Sequence, residues 1–385
     1  MFRKMPLILV AVILAIICLD NFIPMFIKSM LLSISLSIKA IIIFLLPLII
    51  FCLLFKASVK LAHNASKVIL LILVMVCTSN FFSTLISYLV GSWVYGFDLL
   101  IQSPNDIADL TPLWSLQLPR IIANDKAMFL GLALGIISSF IVPDMADKLA
   151  EYFDKIIAKV LSVITFIIPF FVVGFVVKLQ TEGVMEVIMV EYSLIFIIIA
   201  LVQFSYVMLV YLLANQLNLK RLKNSIKNML PAAIAGFSTM SSAAAMPLTI
   251  IAAQKNTRNS DLAQSVIPAT VNIHLVGDCL AIPIIAFAIL KNYGVAEPVF
   301  LDYLIFAFYF VLAKFSVAAI PGGGILVMLP ILESYLGFNA EMMSLITAIY
   351  ILFDPVITCV NVLGNGAFAL IIDKFIKPFN SKLHI

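Results

Sequence analysis

From Val68 to Val94, and again from Tyr192 to Leu213, the chain carries no Asp, Glu, Lys or Arg. About 20 consecutive apolar residues let a helix cross the ~30 Å hydrocarbon core of a bilayer. Only helices and closed barrels satisfy their own backbone there. The apolar–polar alternation of a barrel strand is absent, so these runs are expected to be membrane-spanning helices. Composition agrees: 63% of the 385 residues are hydrophobic and 11% charged, where soluble domains are about half apolar and a quarter charged. The net charge of +4 is scattered and forms no basic stripe for nucleic acid. Cys18, Cys52, Cys77, Cys279 and Cys359 sit in apolar runs without metal-ligand spacing, as packed thiols do. Neither a nucleophile beside a base nor an H-E-x-x-H constellation is present, which argues against a membrane enzyme.

Two apolar segments are interrupted. The first breaks at Gly236-Phe237-Ser238-Thr239-Met240-Ser241-Ser242-Ala243-Ala244-Ala245-Met246-Pro247, the second at Ala318-Ala319-Ile320-Pro321-Gly322-Gly323-Gly324. Non-helical backbone at membrane depth survives only where it is buried in protein or lines a wet cavity. Two half-helix ends aimed at one place suit a small charged solute; ordinary loops between spans are the plainer alternative. Each break precedes a span marked by polar residues, giving an inverted repeat of hairpin, span, hairpin, span. In the last span Asp354 and Thr358 are four apart on one helix face, and Asn361 and Asn365 continue the stripe. An ionised group inside the membrane usually marks a pathway. A packing carboxylate, or a helix start beside Pro355, is the alternative for Asp354.

In chain order, spans are expected at about Pro6–Ile23 (uncleaved), Leu31–Phe55, Val68–Val94 and Met128–Val142. A fifth follows the amphipathic stretch Asp144–Lys159 and ends near Lys178, and a sixth runs to about Leu213. A seventh is expected at Leu262–Leu290 and the last at about Met342–Ile372, with Tyr303–Leu336 as the second broken segment. Basic residues at Arg3 and Lys4, from Lys56 to Lys67, from Lys220 to Lys227, and at Lys374 and Lys377 put both termini in the cytoplasm. The expectation is an all-α polytopic membrane protein with eight transmembrane helices and two re-entrant helical hairpins. It forms one unit over 1–385, with scaffold and oligomerisation spans, mixed with parts of the transport unit, over about 1–215 and a substrate-binding core over 216–385.

At these breaks the chain resembles the dicarboxylate/amino acid:cation symporters, the glutamate-transporter family. Gly236 to Ser242 resembles the serine-rich tip of the family's first hairpin, and Pro321-Gly322-Gly323-Gly324 the tip of its second. Val360-Asn361-Val362-Leu363-Gly364-Asn365 is similar to its V-N-V-x-G-D, and Thr78-Ser79 to a hydroxyl pair at a sodium site. The resemblance covers nearly the whole chain and is sharpest from Gly236 to Asp373. It implies an elevator-type homotrimer in a bacterial inner (plasma) membrane, without a cofactor. The cargo it implies is a small amino acid or dicarboxylate, coupled to a proton or sodium. By the same resemblance, Asp354 meets the substrate's amino group, and Thr358 and Asn361 touch the substrate. Ser241 and Ser242 cap its main-chain carboxylate, while Gly322, Gly324 and Asp278 complete the binding set. Thr78, Ser79, His274, Asp278, Asn361 and Asn365 form the cation-coupling set, with a sodium at Thr78, Ser79 and Asn361.

Several positions depart from the family pattern. Ile357 stands where many relatives of acidic specificity carry Arg, and Met240 where some keep a basic residue. His274-Leu275-Val276-Gly277-Asp278 aligns on N-M-D-G-T, so Val276 and Asn365 replace two sodium-binding acids. Neutral or cationic substrates are therefore expected over acidic ones. His274 and Asp278, four apart, can pair or share a proton on one helix face. That spacing favours protons or exchange over sodium, or else a merely structural pair. Lys314 is expected either near the lost sodium sites, at an interface, or paired with Asp278 or Glu333. Lys39 and Glu191 read as interfacial or scaffold charges without a functional role. The rivals are a proton-driven or exchange carrier of a neutral or cationic solute, and a channel.

Overall fold

The computed structural model describes residues 15–16, 18–63, 67–97, 110–119, 122, 124–317 and 322–380. Most of the expected first span, the acidic connector residues Asp98, Asp106 and Asp109, and the tip residues 318–321 lie outside them. Among the described residues the regular structure is helical, with no strand. After a short 3-10 turn at Asp20–Phe22 come α1 (Met25–His63), α2 (Lys67–Tyr95), α3 (Asn124–Ile141), α4 (Pro143–Thr181) and α5 (Val184–Ala214). Then follow α6 (Leu219–Thr239), α7 (Ser242–Asn256), α8 (Ser260–Thr270), α9 (Val276–Asn292), α10 (Phe300–Lys314), α11 (Gly323–Leu336) and α12 (Ala340–Asn380). Among these residues, three stretches are long and apolar enough to cross a membrane: Leu70–Tyr95, Tyr192–Ala214 and Ala340–Phe375. At ~1.5 Å per residue α12 reaches about 60 Å.

Both expected breaks are present. Helix α6 stops at Met240, which adopts a left-handed conformation (φ 49°), and Ser241 caps α7 immediately after it. A left-handed non-glycine residue costs about 1–2 kcal/mol, here set against burial of the Met240 side chain. Helices α10 and α11 pack together around the second break, and Gly322 supplies the left-handed turn (φ 71°) that starts α11. One expectation is corrected: the span at Leu262–Leu290 is two helices, α8 and α9, with 271–275 outside both. The amphipathic stretch and the fifth span, by contrast, form the single helix α4.

The helices sort by packing into two groups. Helices α1, α3 and α4 pack on one another through glycines that leave no room for a side chain. A Cβ on Gly174 would lie 2.1 Å from the Leu31 carbonyl oxygen, and one on Gly131 2.6 Å from that of Phe51. Small residues let backbones approach where lipid is as apolar as the side chains and burial alone gives little drive. Ser35 donates across the same contact to the Phe171 carbonyl at 2.7 Å, and Lys56 pairs with Asp154. The second group surrounds α12, which touches α5, α6, α7, α8, α9 and α11, while α2 lies along α9 and α10. Thus α2 and α5, early in the chain, pack with the later helices. Their outer faces expose Leu70, Leu89, Trp93, Ile197 and Leu201, as lipid-facing helices do.

Gly174→Ala is expected to push α4 away from α1 and cost about 3 kcal/mol, since the clash is with backbone. Thermal unfolding of the purified protein in detergent measures this, and an unchanged midpoint would refute the close-contact account.

Candidate functional site

The polar residues of the interior collect where α9, α12, α2 and the α10–α11 pair meet. The interruption between α8 and α9 is stitched by remote side chains. Asn80 Nδ2 on α2 donates to the Ile273 carbonyl at 2.7 Å, and its Oδ1 accepts from the Leu275 N–H at 3.2 Å. The Asn80 amide thus stands in for a peptide group, supplying the partners that a helix would have given. Asn365 Nδ2 donates to the carbonyls of His274 at 3.3 Å and Asn361 at 2.9 Å. Ser79 Oγ lies 2.9 Å from His274 Nε2, and the imidazole packs on Phe368 at 4.4 Å between ring centroids.

Asp278 sits in the first turn of α9, where the helix dipole favours a carboxylate. Its Oδ1 accepts from Tyr350 Oη at 2.6 Å and its Oδ2 from Asn361 Nδ2 at 2.7 Å. The other end of the Asn361 amide accepts from the Gly277 N–H at 2.8 Å, while the Gly277 carbonyl accepts from Gln203 Nε2 at 2.8 Å. Lys314, fully buried at the end of α10, places Nζ 3.8 Å from Asp278 Oδ1 and 4.6 Å from the Phe310 ring centroid. Gly324 on α11 closes the same carboxylate from another side: a Cβ there would lie 2.1 Å from Oδ1.

The expected His274–Asp278 pair is corrected. Helix α9 begins at Val276, so the two residues share no helix face, and their hydrogen bonds run to different partners. Of the destinations open to Lys314, Asp278 is the one found. Asp354 lies well inside α12, which removes the helix-start alternative. Its Oδ2 accepts from the Gly322 N–H at 2.8 Å and its Oδ1 from Thr358 Oγ1 at 2.9 Å. Asp354 is 3% exposed and has no ion-pair partner among the described residues. Gly236, near the end of α6, lies against Val362 and the Thr358 carbonyl, which sets the first break beside this stretch. Ser242 is buried, and Ser241 Oγ accepts from the Ala244 N–H at 3.2 Å as a helix cap.

Thr78 stands apart from the cluster: it is exposed and donates to the Val74 carbonyl of its own helix. Ser79, His274, Tyr206, Val276 and Gly364 line a cavity of about 20 Å³, room for about one water-sized particle. A cation there would meet hydroxyls and a ring nitrogen, with Val276 where the family pattern has an acid. Asn365 Oδ1 is a buried acceptor without a hydrogen-bond partner among the described residues.

Sequence reasoning passed over Asn80, Tyr350 and Gln203. Tyr350 is four residues before Asp354 on α12, and Gln203 is the one amide between Tyr192 and Leu213. Isolated polar residues inside a span are the signal that would have found them.

The model of the Sodium:dicarboxylate symporter family matches residues 121–375, and no curated protein matches the chain. The chain belongs to the Sodium:dicarboxylate symporter family. It is therefore a membrane transporter of symporter type, and not an enzyme.

Asn80→Ala would leave the Ile273 carbonyl and the Leu275 N–H without partners. A buried unsatisfied group costs about 1–3 kcal/mol, so a loss of at least ~2 kcal/mol in thermal unfolding is expected. A wild-type midpoint would show that water replaces the amide.

Proposed function

We propose that this transporter carries a small amino acid or related organic acid, coupled to a cation. The observation that supports this most is Asp354. It is a carboxylate buried in a membrane-length helix, gripped by the start of α11 and by Thr358, with no cation paired to it among the described residues. A substrate ammonium is the natural complement, because a charge-assisted hydrogen bond offsets the desolvation of both groups. Asn361 keeps one amide hydrogen beyond its bond to Asp278 for the substrate's main-chain carboxylate. Ser241 and Ser242 would approach that carboxylate from the first break. In this reading α6–α7 and α10–α11 are the two re-entrant hairpins, α8–α9 is an interrupted seventh span and α12 the eighth. An elevator-type homotrimer with cytoplasmic termini, in a bacterial inner membrane, belongs to the same proposal.

For the cation, the small cavity beside Ser79 and His274 and the spare oxygen of Asn365 are the favoured places. Asn361 has its amide oxygen engaged by Gly277, and Thr78 faces away. Proton sharing between His274 and Asp278 loses its basis because the two share no helix face and bond to different partners, so a monovalent cation on neutral ligands is the better reading. No bound cofactor is part of the mechanism.

Asp354→Asn removes the charge but keeps the shape. A hydrogen bond to a charged group contributes about 1.5–3 kcal/mol, so apparent affinity for an amino-bearing substrate should fall roughly 10–150-fold. Uptake into proteoliposomes measures it; unchanged uptake would make Asp354 structural.

Substrate charge gives a second test. Ile357 is fully buried at the position of the expected Arg, and the Lys314 ammonium is engaged by Asp278. A glutamate or aspartate side chain would enter unpaired, at a cost of several kcal/mol. Neutral amino acids should outcompete acidic ones by ~100-fold or more. Equal competition by glutamate would refute this.

A further inference from the structure

We propose that Lys314 is a resident counter-cation, supplying to Asp278 from within the chain the positive charge that a co-transported ion would otherwise bring. Three observations converge on this. The Lys314 ammonium is fully buried and has no hydrogen-bond acceptor among the described residues, yet lies 3.8 Å from Asp278 Oδ1. The hydrogen-bond donors on Asp278, Tyr350 and Asn361, are neutral, so Lys314 is its charge partner among the described residues. Finally, Lys314 ends α10 and Gly324 opens α11, so both arms of the second helix pair close on one carboxylate.

The placement at the C-terminus of α10 favours a cation through the helix dipole, which explains why an ammonium is tolerated there. It does not explain why the chain carries the group inward rather than to an interface, as lysines near helix ends usually go. Charge balance does. Among the described residues, the buried Asp, Glu, Lys and Arg side chains around this helix pair are Asp278, Asp354 and Lys314. With the first and last neutralising each other, a single negative charge remains, on Asp354. A zwitterionic amino acid adds no net charge, so one co-transported monovalent cation then makes the site neutral. A charge mounted on α10 also arrives and leaves with that helix, so pairing is tied to the position of the second helix pair rather than to ion concentration.

The inference takes its meaning from the transport reading, but its test is stability, so failure here leaves the Asp354 uptake result standing and the reverse. Thermal unfolding of the purified full-length protein is measured in sodium chloride and in choline chloride. The variants are Lys314→Met, Asp278→Asn and the double variant. Lys314→Met should lower the midpoint by roughly 4–6 °C, because it leaves a buried charge unpaired. The sodium-minus-choline difference should be larger in Lys314→Met than in wild type, as the ion enters the vacated place, and should return to the wild-type value in the double variant. The double variant, with both charges gone, should be more stable than Lys314→Met. A double variant no more stable than Lys314→Met, or a Lys314→Met protein stabilised by sodium no more than wild type, overturns the proposal. If Lys314→Met fails to fold, the double variant against Asp278→Asn still decides it: coupling predicts that adding Lys314→Met to Asp278→Asn is harmless, and a large further loss overturns it.

Discussion

A carboxylate inside an apolar bundle has to be surrounded before the bundle can close on it, and Asp278 is surrounded from α10, α11 and α12 at once. Tyr350 and Asn361 tie it to α12, Lys314 to α10, and the absent side chain of Gly324 lets α11 lie against it. Asn361 then turns its other end to the Gly277 N–H, fixing the first turn of α9. Each contact has a different helix behind it, so their relative positions are set by the solvation of a single charged group. Taking away one partner would leave the others desolvated and underemployed, which is why such networks fail as units.

The two groups of helices are held by different physics. Helices α1, α3 and α4 rely on backbone approach at Gly131, Gly135 and Gly174 and on the rings of Phe51, Phe55 and Phe153. Around α12 the contacts are amides, hydroxyls and charges, which can be exchanged for a ligand's own groups. The two groups thus differ in the chemistry of their contacts.

Much of this was legible in the sequence. Charge-free runs gave α2 and α5, small hydroxyl residues gave the break at Met240 and Ser241, and four-residue spacing put Asp354 beside Thr358. What escaped was decided at long range. The segment 271–275 is apolar enough to continue a helix, and its interruption depends on Asn80, 195 residues from Leu275 in the chain. The His274–Asp278 spacing misled for the same reason, because a four-residue rule holds only while the helix does. Lys314 had several open destinations, and only packing chose among them.

Lys39 gives the boundary between the two groups a property of its own. It leaves α1 to donate to the Ala340 carbonyl at 2.6 Å and to Ser344 Oγ at 2.5 Å, at the start of α12. The two groups thus share a polar fastening as well as apolar packing: one ammonium from α1 holds two oxygens in the first turns of α12.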